Sequence, residues 1–437
     1  MSVNDDQSIF LAMKQDGPLR VEDEVSHFEQ RFTPRSRQLI RDFASDQTTM
    51  SKYRAVRDHV FDLLDIDDFT QVPALLNQAD KIHKLHNRCY HLLANLYGIS
   101  GDASEIRSQI KDYALSADNV ITYLKQHVLA CYSSHIELSN EIETTHSPID
   151  LLLIQFNQRF HKKIRFEAKR KLVLMSLAAS IDQRERETDI EAKFASFLSF
   201  LNDHVWSPDL KIGEVETAYL HSLHDPQSFA CEKVEVLNCL DDISLDHLGE
   251  REKVTLIKRR LFRYNGRNIP IYVSVRKKDP AAKILKLLRK NEKNPAVAVD
   301  DELGLMAVLN SRADVRRFVR HLTRSALNAE SIMVLEDISD TLTGGEYKGS
   351  SGSSNSKTPM LKFFARLGGM RVEFIIHTNS SYLDYRYKRD VAHEEYEVRR
   401  LFDSDVASFL FPEDIYHLDM QRIREKQLAN FRKSIES

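Results

Sequence analysis

The sequence predicts an α+β protein, with an all-helical N-terminal region followed by a domain built on a mixed sheet. Three observations predict it. From Pro34 to about Leu248 glycine is scarce and apolar residues recur at spacings of three and four, the period of a helix buried along one stripe. From about Thr255 short β-branched and aromatic runs alternate with amphipathic helical stretches, as in a mixed α/β domain. The two-residue turns Asn265-Gly266 and Gly368-Gly369 each join two such runs as a hairpin.

Residues 1–33 form a charged, polar N-terminal segment, and residues 34–249 a helical bundle or arm with helices over roughly 36–65, 71–97, 148–167 and 184–203. Asp102 and Glu105 have the spacing of a capping box. After them Ile106, Ile110, Tyr113, Ala117, Val120, Leu124, Val128, Cys131 and Ile136 fall on one stripe, which predicts a helix of more than about 30 residues. No fixed-period repeat is present, which excludes a solenoid. Helices so rich in Lys, Glu and Gln outside their stripes suit self-association, binding of a protein partner, or restraint of the C-terminal domain.

Residues 250–418 are expected to carry the sheet, with strands over 254–264 and 269–275, a helix over 280–291 with Pro280 in its first turn, and a strand over 303–309. A basic helix over 313–327, a strand over 332–335 and a Ser/Gly-rich loop over 344–358 come next. A second hairpin over 360–378, a helix over 391–402 and a charged helical tail over 419–437 complete the chain.

Length and composition set outer limits. A chain of 437 residues has room for two or three domains, and 42% hydrophobic with 29% charged residues describes a soluble globular protein. A formal net charge of −3 excludes a global field that would draw in nucleic acid or a membrane. Between Arg251 and Lys290, however, fourteen Lys and Arg stand against only Glu252 and Asp279, a block that is either a solvated face or a polyanion site. The four cysteines, Cys89, Cys131, Cys231 and Cys239, form no Cys-x-x-Cys and no disulfide framework. Residues 1–16 lack the basic start and apolar core of a signal peptide, and no run of about 18 apolar residues occurs, so a cytoplasmic protein without a membrane span is expected.

The chemistry concentrates between Arg276 and Thr378. Arg276 and Lys278 stand where a strand passes into a helix, and Lys286 lies eight residues after Lys278, about two helical turns on and on the same face. Phosphates need several donors at once, and a helix start adds backbone N–H groups. Asp301 stands at the mouth of an apolar strand, and Glu373 inside another, facing away from Phe374. Two carboxylates from neighbouring strands are a common means of holding Mg²⁺ beside nucleotide phosphates. The alternatives are an ordinary basic helix and two solvent-facing acids.

These residues resemble, in order and spacing, the synthetase domain of RelA/SpoT-type alarmone synthetases, pyrophosphokinases of the nucleotidyltransferase fold. That domain carries Arg-x-Lys, then Ser and Lys at four-residue steps, where this chain has Arg276, Lys278, Ala282 and Lys286. It carries Asp-x-x-Gly-x-Arg, where this chain has Asp301, Gly304 and Met306, and Glu-x-Gln-Ile-Arg-Thr, where this chain has Glu373-Phe374-Ile375-Ile376-His377-Thr378. A His and a Tyr in the next helix resemble His393 and Tyr396. The likeness covers about 160 residues at the C-terminal end.

The resemblance implies Mg²⁺-dependent transfer of pyrophosphate from ATP to the 3′-hydroxyl of a GDP- or GTP-like nucleotide. Arg276, Lys278 and Lys286 would hold the ATP phosphates, Asp301 and Glu373 the metal, and Glu373 alternatively the proton of the acceptor. Tyr347 would stack on the acceptor base, with His377, His393 and Tyr396 beside it. The departures Ala282, Met306, Ile375 and His377 remove two arginines that would face phosphate. Two further readings stand beside this one. One is a toxin-type enzyme that modifies tRNA 3′ ends, for which the basic stretches suit RNA phosphates. The other is an impaired domain that senses nucleotide or serves as a scaffold through its helices. His224-Asp225 lacks the partners of a hydrolase site and reads as a loop dyad, and His83, His86 and His91 as solvated helix residues.

Overall fold

A computed structural model describes residues 41–42, 45–209, 214–240, 248–299, 301–345 and 358–436. Tyr347 lies outside the described residues. The fold is α+β. In chain order the longer helices are α1 (Gln47–Leu64), α2 (Ala79–Tyr97), α3 (Ala103–Tyr123), α4 (Pro148–Phe156), α5 (Lys162–Thr188) and α6 (Ile190–Phe200). After these come α7 (Pro280–Lys290), α8 (Arg312–Asn328), α9 (Asn379–Tyr387), α10 (His393–Asp403) and α11 (Met420–Glu436). The strands are β1 (Glu216–His224), β2 (Cys231–Leu237), β3 (Glu252–Tyr264), β4 (Arg267–Lys277), β5 (Leu303–Leu309), β6 (Val334–Asp340), β7 (Leu361–Leu367) and β8 (Met370–Thr378). No helix among the described residues is long and apolar enough to cross a membrane.

The chain divides into two compact units. One comprises Met1–Glu187 with Pro280–Ala298 and Leu401–Ile423, the other Thr188–Asp279 with Val299–Arg400 and Arg424–Ser437. In the first, the capping box forms as its spacing requires: Asp102 accepts from the Ser104 and Glu105 amides, and Glu105 accepts from the Asp102 amide. The stripe from Ile106 to Ile136 is not one long α-helix. After Tyr123 the chain widens into a π-turn (Leu124–Val128) and then tightens into a 3₁₀ segment (Ala130–His135), while Leu124, Val128 and Ile136 stay buried. The expected 148–167 helix breaks after Phe156. On α5, Arg170 and Glu167 are both enclosed. Arg170 donates to the Leu410 carbonyl (2.7 Å) and to the Tyr416 hydroxyl (2.9 Å), and Tyr416 donates to Glu167 (2.9 Å). A buried charge needs such partners, because desolvation is otherwise uncompensated.

The second unit holds one eight-stranded sheet in the order β2-β1-β3-β4-β5-β8-β7-β6. Every neighbouring pair is antiparallel except β5 with β8. Leu303, Leu305, Ala307, Val372, Phe374, Ile376, Phe363 and Ala365 turn to one face and bury against Phe197 of α6 and Phe318 of α8. The alternate residues turn to the other face, where Tyr382 and Leu383 of α9 pack near Val308, Leu220 and Ile257.

Both predicted hairpins form, at Asn265-Gly266 and Gly368-Gly369. The helical expectation for 34–249 fails from Glu216, where β1 and β2 begin the sheet well before residue 250. The inward positions of β1 are Ala218, Leu220, Ser222 and His224, so two polar residues occupy the buried face and blunt the alternation. The predicted helix at 280–291 is present as α7, but it belongs to the helical unit. The helix α9 was not expected. It starts where the Thr378 side chain accepts from the Ser381 amide.

Candidate functional site

Register places the candidate residues in a lateral row. Arg276 on β4 lies opposite Gly304 on β5, Gly304 opposite Glu373 on β8, Glu373 opposite Phe364 on β7, and Phe364 opposite Glu336 on β6. Residues directly opposite one another share a face, so this row lies on the side away from the Phe374 core. Gly304 supplies the clearance: a Cβ there would stand 3.3 Å from Arg276 Nε and 3.6 Å from its Cγ, so the arginine side chain lies across the glycine. Arg276 then reaches Glu373 at 3.7 Å. Lys362, one diagonal step away on β7, holds the other carboxylate oxygen at 2.7 Å. Glu373 is only 5% exposed, so its charge depends on these cations.

Lys278 and Asp301 make a second pair at 2.8 Å, and the Lys278 amide donates to the Glu302 carbonyl at 2.8 Å. The first turn beyond β4 is thereby pinned to the mouth of β5. Asp301 precedes Gly304 by three residues, about 10 Å of extended chain. The two acids are therefore held as two separate carboxylate–ammonium pairs. Among the described residues, no three His, Cys, Asp or Glu side chains gather to hold a metal.

Beyond Glu373 the row continues into an arginine cluster. The Arg371 guanidinium lies 3.6 Å from the Phe364 ring centroid and bonds Glu336 (3.2 Å) and Asp337 (2.8 Å), while Arg366 bonds Glu336 (2.9 Å). Hydrogen bonds from Arg366 and Arg371 hold the Glu336 carboxyl below its ordinary range.

Other expected residues sit differently. His377 is fully enclosed, its ring 5.3 Å from that of Tyr385, and burial pushes its pKa down to about 4. It is a neutral interior residue rather than an exposed contact for an acceptor. Met306 packs against the apolar cluster that includes Val308 and Tyr382. Lys286 is buried on α7 in the helical unit, where its neighbour Lys283 pairs with Glu185. The His393 ring lies 5.1 Å from that of Tyr385, tilted 38° to it, and Tyr396 carries Arg400 at 5.0 Å over its ring.

Two contributors, Lys362 and Tyr385, escaped the motif reading. Lys362 is an unremarkable lysine in the sequence, visible as a site residue only once β7 pairs with β8. Arg371 joins the arginine cluster through the same pairing. Tyr385 lies on the unexpected α9, and burial raises its phenol pKa, with Arg276 opposing and Glu373 reinforcing the shift. The capping pattern Thr378-x-x-Ser381 was the available signal for that helix.

No family model, curated protein or solved structure matches the chain. The likeness to alarmone synthetases rests on the motif residues alone.

Proposed function

We propose that the row Arg276–Gly304–Glu373, with Lys278, Asp301 and Lys362, binds a nucleotide polyphosphate and transfers pyrophosphate from ATP to the 3′-hydroxyl of a nucleotide. The supporting observation is the pairing of Lys278 with Asp301 and of Lys362 and Arg276 with Glu373 on neighbouring strands. Each cation is stationed beside an acid. A nucleotide bound with magnesium would offer the complementary charges, its phosphates suiting Arg276, Lys278 and Lys362 and its cation suiting the carboxylates. The donor set, two carboxylates beside ammonium and guanidinium groups, suits that pairing.

In this reading Arg276, Lys278 and Lys362 bind and orient the phosphates, and the clearance over Gly304 lets Arg276 swing toward them. Glu373, released from Lys362, accepts the proton of the acceptor 3′-hydroxyl. That oxygen forms a bond to the β-phosphorus of ATP as the bond from this phosphorus to the α–β bridging oxygen breaks, and AMP leaves. Mg²⁺, were it held by Asp301, would supply neutralisation of the phosphate charge while Glu373 serves as the base. Most of the rate enhancement is positioning and charge stabilisation.

A second reading, nucleotide binding without transfer, is favoured by the burial of His377 and the packing of Met306, positions at which the resemblance expects arginines. One experiment separates the two. The full chain is incubated with Mg²⁺, ATP labelled in its γ-phosphate, and GDP, GTP, ADP or tRNA. Labelled acceptor and AMP, lost in Asp301→Asn and Glu373→Gln, are expected. ATP binding with no labelled acceptor leaves the second reading, and absence of both binding and transfer overturns both.

A further inference from the structure

The sheet unit contains a cavity of about 1340 Å³ that shares none of its lining with the Arg276–Glu373 row. Four separate segments wall it: the β1–β2 connection, the start of β3 with the residues leading into it, the chain just past the end of α9, and the face of α11. Glu373 on β8 is three strand spacings from β3, about 14 Å.

The lining is basic. Arg251 and Lys253 come from the head of β3, Arg389 from beyond α9, and Arg432 and Lys433 from α11, against Glu250, Glu252 and Glu425. Of these acids, Glu252 is engaged locally: it accepts from the Gly249 amide (3.2 Å) and lies 3.9 Å from His221. Two of the cations are fixed in place. Arg389 donates to the Gln227 carbonyl at 2.6 Å. Arg432 pairs with Asp390 and, at 3.0 Å, with Glu395, which is itself buried and also takes Arg399 at 2.7 Å. Donors already immobilised lose little side-chain entropy when a ligand arrives.

The floor is equally constrained. Phe229 holds φ at +55°, a conformation that costs a bulky residue on the order of 1–3 kcal/mol. In that pose it stacks on His224 (ring centroids 4.9 Å apart) with Lys253 5.7 Å above its ring. His224 is locked in turn between the Phe229 carbonyl (3.0 Å) and the Ser222 hydroxyl (2.9 Å). Strain held by a buried network at the base of a cavity is a feature of ligand sites.

We infer that this cavity is a second site, for a small phosphorylated molecule bearing at least two phosphate charges. Its concavity and apolar patches at Leu428 and Val254 suit a compact ligand rather than an extended nucleic-acid backbone. The inference does not depend on the proposed transfer reaction.

Calorimetric titration of inorganic pyrophosphate into the full chain carrying Arg276→Ala and Lys278→Ala tests it, since those changes disable the row. Binding is expected to persist and to weaken at least tenfold when Arg251→Ala and Lys253→Ala are added. The charge-keeping pair Arg251→Lys and Lys253→Arg should retain it, and circular dichroism should be unchanged in all variants. Pyrophosphate binding that vanishes with Arg276 and Lys278, or that ignores Arg251 and Lys253, overturns the inference, as does a preference for tRNA with no pyrophosphate binding.

Discussion

Lys278 holds Asp301 at 2.8 Å. The cation that the motifs assign to phosphate and the acid that they assign to metal are thus each other's partner. Both side chains are largely enclosed, at 13% and 15% exposure, so their charges are less screened than those of a surface pair. Asp301→Asn is expected to weaken ATP binding in the presence of Mg²⁺ and to abolish transfer. Lys278→Met should weaken ATP binding about tenfold or more with or without Mg²⁺, a loss of roughly 1.4 kcal/mol or above. Equilibrium dialysis with labelled ATP reads both, and an unchanged affinity in Lys278→Met would remove that lysine from the site.

Gly304 tests whether the row works as a unit. In Gly304→Ala the new methyl meets Arg276 Nε at 3.3 Å, tighter than ordinary contact, and the flexible side chain must move aside. Nucleotide affinity should drop several-fold while stability changes by about 1 kcal/mol or less. Equal ATP affinity in wild type and Gly304→Ala would show that Arg276 does not act from its position over the glycine.

The buried acid on β8 makes a separate prediction about stability. Lys362→Met leaves Glu373, 5% exposed, without its 2.7 Å partner. The single change should cost about 3–5 kcal/mol in urea unfolding. Adding Glu373→Leu should recover much of that loss, because two apolar side chains replace a broken ion pair. A double variant as unstable as the single one contradicts this account.

His377 makes stability depend on pH. Its folded-state pKa is depressed by burial to about 4 from an ordinary value of 6.5, so the folded protein favours the neutral ring. The resulting stability is complete above about pH 6.5 and is lost as pH falls toward 4, because the unfolded chain binds the proton first. The loss reaches about 3 kcal/mol at most. Burial shifts His224 and His321 in the same direction, so they add to the slope. His377→Phe should flatten the dependence of the urea midpoint between pH 6.5 and 4, and an unchanged slope would exclude His377 as a contributor.

In the helical unit, Arg170→Met removes the donor to the Leu410 carbonyl and to the Tyr416 hydroxyl and the cation 3.9 Å from Glu167, whose fully buried carboxylate then keeps Tyr416 and the Ser139 amide as donors. A loss of about 3–5 kcal/mol is expected. Chemical denaturation followed by circular dichroism measures it, and a loss below about 1 kcal/mol would mean that the network contributes no net stability.

The sheet was legible from residue 250 onward because its turns are chemically explicit and its buried strands, such as Leu303–Leu309, are apolar throughout. It was illegible before that because β1 buries Ser222 and His224, which satisfy each other by a 2.9 Å hydrogen bond that no periodicity reveals. Arg276 and Glu373 stood out as site residues because each is a charge set in or beside an apolar strand. Lys362 and Tyr385 needed the three-dimensional pairing of β7 with β8 and the packing of α9. Lys286 shows the converse limit, since helical spacing from Lys278 says nothing about which core the helix joins.

β8 is inserted between β5 and β7 although it is made after both β6 and β7. On the ribosome, β5 is complete at Leu309, yet its partner on the edge away from β4 does not begin until Met370. At about 5–20 residues per second, several seconds pass in which an almost wholly apolar strand edge has no neighbour. That interval is when the nascent chain is most exposed to misassociation, and the Arg276–Glu373 row cannot be completed before it closes.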